Sequence, residues 1–208
     1  GPWRFIQYAN QNFTAAYFDY NGRYSFGRQP EAALWALTQL GKSFNKLINE
    51  KRIIEILNEF STTFHLSLKK HFCWRIGIQD IDAKSLSEIM NVLLNESEKH
   101  KIEFASFFYD FFGGKEAVID CLKTNYGNKY KVEGFLKITD ILKDSQSSKG
   151  ALEKRKLINK NRENMLIDEV EQIWEEINKN DNWKLLEKKI SKVRKLGNSL
   201  ESQKLVNF

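Results

Sequence analysis

Apolar residues recur at helical spacing along most of the chain, but the first 29 residues follow no period of 3.6 or 2. This opening stretch is rich in Gly and Asn and contains nine aromatic residues. They are Trp3, Phe5, Tyr8, Phe13, Tyr17, Phe18, Tyr20, Tyr24 and Phe26. So many aromatic side chains are not typical of a solvated tail. The pattern therefore predicts ordered irregular structure over residues 1–29.

A helix is predicted to begin abruptly at Pro30, because proline suits the first helical turn and Glu31 is favourable there. Its apolar stripe is formed by Leu34, Leu37 and Leu40, and Gly41 is predicted to end it. Amphipathic helices are predicted next over 43–60 and 61–73. They are followed by a helix capped by Asp82, an aromatic helix ending at Gly113-Gly114, and a short helix near 115–124.

The segment 144–150 has the composition of a linker, and the next dozen residues are basic and weakly periodic. Two further helices are predicted at about 165–179 and 182–200, with Asp181 capping the second and Gly197 near its end. The short turn between them predicts an antiparallel hairpin that packs on the preceding helices. The predicted division is 1–29, irregular; 30–143, a helical lobe; 144–163, a linker; and 164–208, the hairpin.

Bulk composition narrows the function classes. Hydrophobic residues make up 41% of the 208 residues, and the net charge is +6. A basic balance permits contact with nucleic acid or an anionic membrane, but lysines and glutamates are interspersed as on solvated helix faces. Neither partner is therefore predicted. Cys73 and Cys121 form no metal-binding or disulfide motif, which indicates a reducing compartment, the cytoplasm. The sequence contains neither a long apolar run nor a signal-peptide pattern.

No catalytic motif stands out. His65, His71 and His100 do not have metal-ligand spacing, and the sequence has no phosphate-binding glycine loop or nucleophile elbow. From the residues alone we therefore predict no catalytic, cofactor-binding or metal-binding residue, and a helical domain without its own chemistry.

Several short motifs at fixed offsets carry more information. They are Gly1-Pro2, Asn12-Phe13, Asp19, Gly22-Arg23-Tyr24, Gln29-Pro30 and Leu34-Trp35, with Trp74-Arg75-Ile76-Gly77-Ile78, Phe107–Gly114 and Met165–Val170 downstream. In this set the chain resembles the selenoprotein O (SelO) family of kinase-like protein adenylyltransferases. The resemblance is strong over residues 1–40 and weak over 125–160.

The resemblance implies a mainly α fold: the multi-helix C-terminal lobe of a protein-kinase-like fold, preceded by an activation-segment-like stretch and followed by the hairpin. It implies transfer of AMP from ATP to Ser, Thr or Tyr of protein substrates, with Mg (or Mn) as the metal. The family's metal-binding Asp would fall two positions before Gly1. The chain is thus expected to be a C-terminal fragment without catalysis of its own, whose partner is the missing N-terminal kinase-like lobe.

The family's functional segment maps onto Asp19, Arg23 and Gln29, for which the resemblance favours structural roles. Asp19 and Arg23 are expected to form a salt bridge, and Gln29 to fasten the Pro30 helix. Some relatives carry a redox cysteine where Ala15 stands here, so that switch is expected to be absent. Gly1-Pro2 fits the family's Asp-Tyr-Gly-Pro, although a scar from tag removal would leave the same residues.

Three functions remain open at this point. The first is an incomplete adenylyltransferase that needs its N-terminal part. The second is a non-catalytic helical module that binds a partner through its basic 149–162 segment or its terminal hairpin. The third is nucleic-acid binding, which is disfavoured because the basic residues lack interleaved aromatic side chains.

Overall fold

The structure, a computed structural model, describes residues 6–14 and 18–200. The predictions about Gly1-Pro2 and Ala15, and residues 201–208 of the predicted hairpin, lie outside these ranges. Within them the chain forms ten α-helices, and β-structure is limited to two isolated bridges. The helices are α1 (Gln29–Ser43), α2 (Glu50–Asn58), α3 (Phe60–Ile76), α4 (Ala83–Glu96), α5 (Phe104–Asp110), α6 (Lys115–Leu122), α7 (Glu133–Lys143), α8 (Ala151–Lys160), α9 (Ile167–Asn180) and α10 (Lys184–Leu200). The expected mainly helical character is therefore confirmed.

The hydrophobic core lies within the helices α3 to α7. It is built from aliphatic and aromatic side chains that are fully shielded from solvent. They include Ile76, Ile89, Leu93, Ile102, Phe107, Phe111, Val118, Tyr130, Phe135 and Leu142. The rings of Phe107 and Phe111 meet edge to face at a centroid distance of 5.3 Å, the arrangement that aromatic quadrupoles favour. We call residues 69–200 the body, because they contain this core and a smaller one beside it.

The smaller core joins the C-terminal helices to the rest of the body. Tyr109, Phe112, Ala151 and Ile158 are buried together, and Leu196 packs against them from α10. The range predicted to be a linker, 144–163, contains α8, which supplies two of these buried residues. The α9–α10 pair forms the predicted hairpin, and α10 packs on α8 as well as on α9.

Residues 29–68, which we call the arm, are packed differently. Helix α1 contacts α2 and the short 3₁₀ turn Phe26–Arg28, while α2 contacts the start of α3. None of the residues of α1 and α2, all of which the structure describes, is buried. The arm is therefore a chain of helices joined end to end, with little cover of its own.

Two motifs that are distant in sequence meet where α3 ends. Gly77 ends α3 with a left-handed φ of 72°, and a Cβ there would lie 3.0 Å from the Phe112 ring. The backbone N–H of Gly113 donates to the carbonyl of Ile76 at 2.8 Å. Glycine is thus required at position 77 both by the backbone conformation and by the close approach of Phe112 and Gly113, which follow α5.

The Asp82 cap is confirmed, because its carboxylate accepts from the Ser85 amide at 3.0 Å. Other boundaries differ from the prediction. Gly41 does not end its helix: it lies inside α1, where an added Cβ would come within 2.7 Å of Ile53 on α2. The predicted helix over 43–60 begins only at Glu50, where the side chain of Asn49 caps it.

Gly197 lies in the last described turn of α10, near the predicted end. The turn between the two helices of the hairpin departs from the prediction. Asp181 adopts a left-handed φ of 47° and ends α9, while the side chain of Asn182 accepts from the Lys184 amide at the start of α10. No helix in the described ranges is both long and apolar enough to span a bilayer.

Candidate functional site

The candidate site is the loop of residues 18–28, organised by the carboxylate of Asp19. One carboxylate oxygen accepts from the backbone N–H of Arg23 at 2.8 Å, and the other accepts from that of Tyr24 at 2.7 Å. Gly22 allows the turn between them, with a φ of 61°. Asp19 therefore holds the loop together in the way that a capping residue holds a helix end.

These contacts also set the ionisation of Asp19. Desolvation raises the pKa of this carboxyl, but the hydrogen bonds from the Tyr24 and Arg23 amides outweigh it, so the pKa is lowered. A carboxylate that accepts backbone N–H bonds is stabilised in its charged form. Asp19 is consequently an ionised structural anchor at neutral pH, rather than a proton donor.

The predicted salt bridge between Arg23 and Asp19 takes another form. The two residues are joined through the backbone amide of Arg23, while its guanidinium lies over the ring of Trp35, 5.4 Å from the ring centroid. A cation over an indole face is favourable at exposed sites as well as buried ones. Arg23 therefore links the loop to the first turns of α1.

Gln29 ties the loop to the start of α1, as the sequence predicts. Its side-chain amide donates to the carbonyl of Tyr24 at 2.7 Å and to that of Ser25 at 3.3 Å. Arg28 adds an ion pair with Glu31 in the first turn of the helix, at 2.9 Å. The three predicted residues, Asp19, Arg23 and Gln29, are thus brought together around one backbone turn.

The segment before the loop fastens the site to the body. Gln7, Asn10 and Gln11 each donate a side-chain hydrogen bond to a residue of the α4–α5 region, at 2.8 to 3.0 Å. The backbone N–H of Gly27 donates to the carbonyl of Gln11, and the ring of Phe26 meets that of Phe104 edge to face at 6.0 Å. The loop is therefore anchored at both ends.

Between these anchors the loop presents aromatic side chains to solvent. Tyr20 is 93% exposed, Phe18 61% and Tyr24 40%. Exposed rings on a loop whose backbone is held in place are typical of a surface that meets another molecule or another part of the same protein.

The described ranges offer little for chemistry. Within them no group of three or more His, Cys, Asp and Glu side chains is arranged to hold a metal ion. His65 contacts the Ser61 carbonyl and His100 contacts Glu96, both within one helical turn. Two surface cavities of about 410 and 450 Å³ lie against α10 and between α4 and α7, away from the Asp19 loop.

One polar cluster is missed by sequence reasoning. Asp110 is buried at the end of α5 and accepts from the hydroxyl of Tyr130 at 2.6 Å and from Arg162 at 2.6 Å, with Lys129 at 3.2 Å. Burial, and next the negative charge of Asp110, raise the pKa of Tyr130. The cluster connects α5 to the segment before α9, and its partners are too far apart in sequence to be paired by inspection.

A second buried charge holds the hairpin. Lys189 on α10 donates to the carboxylates of Glu163, at 2.7 Å, and Glu169, and to the carbonyl of Asn164. The hydroxyl of Tyr109 donates to the carbonyl of Glu163. Buried charges are tolerated only when they are paired and hydrogen-bonded. These contacts therefore fix the position of α10 relative to α9 and to the segment before it.

These features define a mainly helical domain with an anchored aromatic loop at the start of its first helix. Comparison with known proteins then identifies the group to which it belongs. The family model described as protein adenylyltransferase SelO matches residues 1–194. The chain therefore belongs to the SelO family.

Three curated relatives carry the name protein nucleotidyltransferase YdiU. The one from Trichormus variabilis is 28% identical over 110 residues, covering 53% of this chain and 23% of the relative. The one from Synechocystis sp. is 41% identical over 64 residues, covering 31% and 13%. The one from Vibrio cholerae is 27% identical over 127 residues, covering 58% and 25%. The chain thus spans about a quarter or less of these relatives, and no solved structure matches it.

Proposed function

We propose that this chain forms the C-terminal helical part of a SelO-type protein nucleotidyltransferase, which transfers AMP from ATP to hydroxyl groups of Ser, Thr or Tyr in protein substrates. Within that enzyme, the Asp19 loop acts as an activation-segment-like element that positions the face on which substrate and nucleotide meet. The helices from α1 onward act as the C-terminal lobe of a kinase-like fold.

The observation that carries this proposal is the family match over residues 1–194. The geometry of the loop supports it. A segment that orders an active site must be irregular and still hold one conformation, and the Asp19 and Gln29 hydrogen bonds provide this. Because these residues bind backbone atoms, we assign them positioning roles and no contact with the reacting groups.

The family implies ATP and a divalent metal, Mg or Mn, and the described residues do not fit them. Phosphoryl and nucleotidyl transfer needs carboxylate ligands for the metal and basic groups around the phosphates. In the described ranges the acidic side chains do not converge into such a set. We therefore assign ATP and metal binding to other parts of a longer SelO-type polypeptide, and derive no catalytic step from the residues present.

The proposal is tested by comparing the 208-residue chain with the longer polypeptide read from the source genome. The chain alone is expected to give no thermal shift with Mg-ATP, whereas the longer polypeptide should label protein substrates with AMP. ATP labelled at the α-phosphate should transfer its label, and ATP labelled at the γ-phosphate should not. A micromolar thermal-shift response of the chain alone, or transfer of the γ label, would contradict the proposal.

The alternative is a non-catalytic helical module that binds a partner, and the exposed apolar arm favours it. The two proposals differ in what they predict for the longer polypeptide. It should transfer AMP from ATP if the chain is part of a nucleotidyltransferase, and it should not react with ATP if the chain is a binding module. Cys73 and Cys121 are both buried and unpaired. Their state supports a reducing compartment, and we propose the cytoplasm for either function.

A further inference from the structure

Helix α1 exposes the side chains that a folded protein normally buries. Leu34, Trp35, Leu37 and Leu40 are 36 to 54% exposed. The partly covered positions of its middle turns are instead held by small residues, Ala32, Thr38 and Gly41. Helix α2 approaches α1 at Gly41, so the contact between the two helices covers this small residue while the four large side chains remain exposed.

The exposed side chains also surround much of the helix. Successive residues of an α-helix are about 100° apart, so the four large side chains cover an arc of roughly 220° around α1. Glu31 and Lys42, at the two ends of α1, also fall within this arc. Large apolar side chains spread over more than half of the circumference are nevertheless typical of a helix inside a protein rather than on one flat interface. The cover that it needs must therefore wrap around α1 and approach it from more than one direction.

Exposed apolar side chains also occur beyond α1. We define the arm face as the exposed apolar side chains of residues 29–68, namely Leu34, Trp35, Leu37, Leu40, Phe44, Leu47, Ile48, Ile54, Ile56 and Leu66. Monomeric proteins rarely leave a contiguous apolar patch larger than a few hundred Å² in water. Through the contact of Arg23 with Trp35, the arm face also adjoins the Asp19 loop.

We propose that the arm face is the docking surface for the remainder of a SelO-type polypeptide, so that α1 becomes a core helix of the complete lobe. This inference rests on the proposed function and names the partner that the function requires. The relatives supply the occupant's size, because the matched segments are only 13 to 25% of their length. A large part of the same polypeptide can contact α1 from several sides, whereas a second copy of this chain would cover one side of it.

Two matched pairs of substitutions test the proposal. Leu37→Gln with Leu40→Gln alters the arm face at side chains that are 41% and 54% exposed. Leu136→Gln with Leu157→Gln alters the body at side chains that are 42% and 53% exposed. In the 208-residue chain, both pairs should shift Tm by less than about 2 °C. In the longer polypeptide from the source genome, the arm pair should lower Tm by at least about 5 °C or abolish solubility, and the body pair should not.

A second measurement covers the case in which the arm variant fails to fold. Hydrogen exchange of the unmodified proteins should show the amides of α1 at least about tenfold better protected in the longer polypeptide than in the isolated chain. Equal effects of the two pairs together with unchanged α1 exchange would overturn the proposal. A reading frame that adds no SelO-type sequence would do so as well.

Light scattering decides between the two occupants. A monomeric chain supports the proposal, whereas a dimer that Leu37→Gln with Leu40→Gln dissociates would assign the arm face to a second copy and overturn it. None of these measurements needs catalysis. A longer polypeptide with a protected α1 but without AMP transfer would refute the proposed function and leave the docking surface standing.

Discussion

The arm and the body are built from the same kind of sequence and reach opposite degrees of burial. Eleven large side chains of the body have no exposed surface, while α1 and α2 of the arm bury none. Yet both regions show amphipathic spacing, and both use helix-start signals such as the Asn49 and Asp82 caps. An amphipathic pattern thus specifies which face of a helix requires cover, whereas the rest of the polypeptide determines whether cover is present.

The difference also predicts unequal local stability. Short helices are marginal in water, and in proteins most of their stability comes from packing of the apolar face. Helix α2 has only nine residues and no buried side chain, whereas α4 contributes Leu86, Ile89 and Leu93 to the core. The arm should therefore unfold locally more readily than the body. Matched substitutions in the two regions test this difference in stability.

The largest expected effect comes from one pair of leucines. Leu93→Ala removes a fully buried side chain from α4 and should lower the free energy of unfolding by about 2–5 kcal/mol. Leu40→Ala truncates a side chain that is 54% exposed on α1 and should change it by no more than about 0.5 kcal/mol. Chemical denaturation of the 208-residue chain measures both. Similar losses would mean that the arm unfolds with the core.

A smaller loss is expected from Tyr130→Phe in the body. The substitution removes the hydroxyl that donates to Asp110 and leaves a buried carboxylate with one partner fewer. Hydrogen bonds to charged groups contribute about 1.5–3 kcal/mol, which is the expected destabilisation. Tyr126→Phe is the matched control, because Tyr126 lies on the same 3₁₀ turn and is 51% exposed. Equal stability of the two variants would exclude Asp110 as a structural centre.

Local signals made much of this fold predictable. The Asp82 cap and the two-helix hairpin follow from short-range rules, and the buried cysteines from their usual preference. The Asp19, Arg23 and Gln29 set could be located because all three residues lie within one short segment that resembles a family motif.

What could not be predicted depends on distant contacts. Gly41 has the sequence character of a helix end, but it lies inside α1 because Ile53 of α2 packs against it. Asp110 and Arg162 are 52 positions apart, so only the folded chain shows that they pair. Arg23 illustrates the same limit at short range, since its guanidinium lies over the Trp35 ring instead of pairing with the nearby carboxylate of Asp19.

The Lys189 contacts in the hairpin should make its stability sensitive to alkaline pH. Desolvation lowers the pKa of Lys189, but the hydrogen bonds that its ammonium donates to Glu163 and Glu169 outweigh it, so the pKa is raised. A raised folded-state pKa stabilises the fold fully below the unfolded value of about 10.4, and this stabilisation is lost as pH rises through the folded value. Denaturation followed by tryptophan fluorescence at pH 9 and 11 should show a larger loss for the unmodified chain than for Lys189→Met. The exposed neighbour variant Lys188→Met should behave like the unmodified chain, and a Lys189→Met chain with an unchanged pH dependence would contradict this assignment.

The smallest global effect, and the sharpest local one, is expected at the Asp19 loop. Asp19→Asn removes the charge that holds the Arg23 and Tyr24 amides, so these amides should exchange with solvent on the order of tenfold faster. The Tm should hardly change, because the body does not depend on this loop.

The direction of the pH dependence of these hydrogen bonds follows from the lowered pKa of Asp19. The bonds are fully present above the unfolded value of about 3.9 and are lost as pH falls through the lower folded value. Asp140→Asn, at an exposed ion pair with Lys143 on α7, should leave the exchange of Arg23 and Tyr24 unchanged. If Asp19→Asn leaves it unchanged as well, the loop is held by its packing against the body rather than by Asp19, and the contrast between an anchored loop and an uncovered arm must be explained by Phe26 and Gln11 instead.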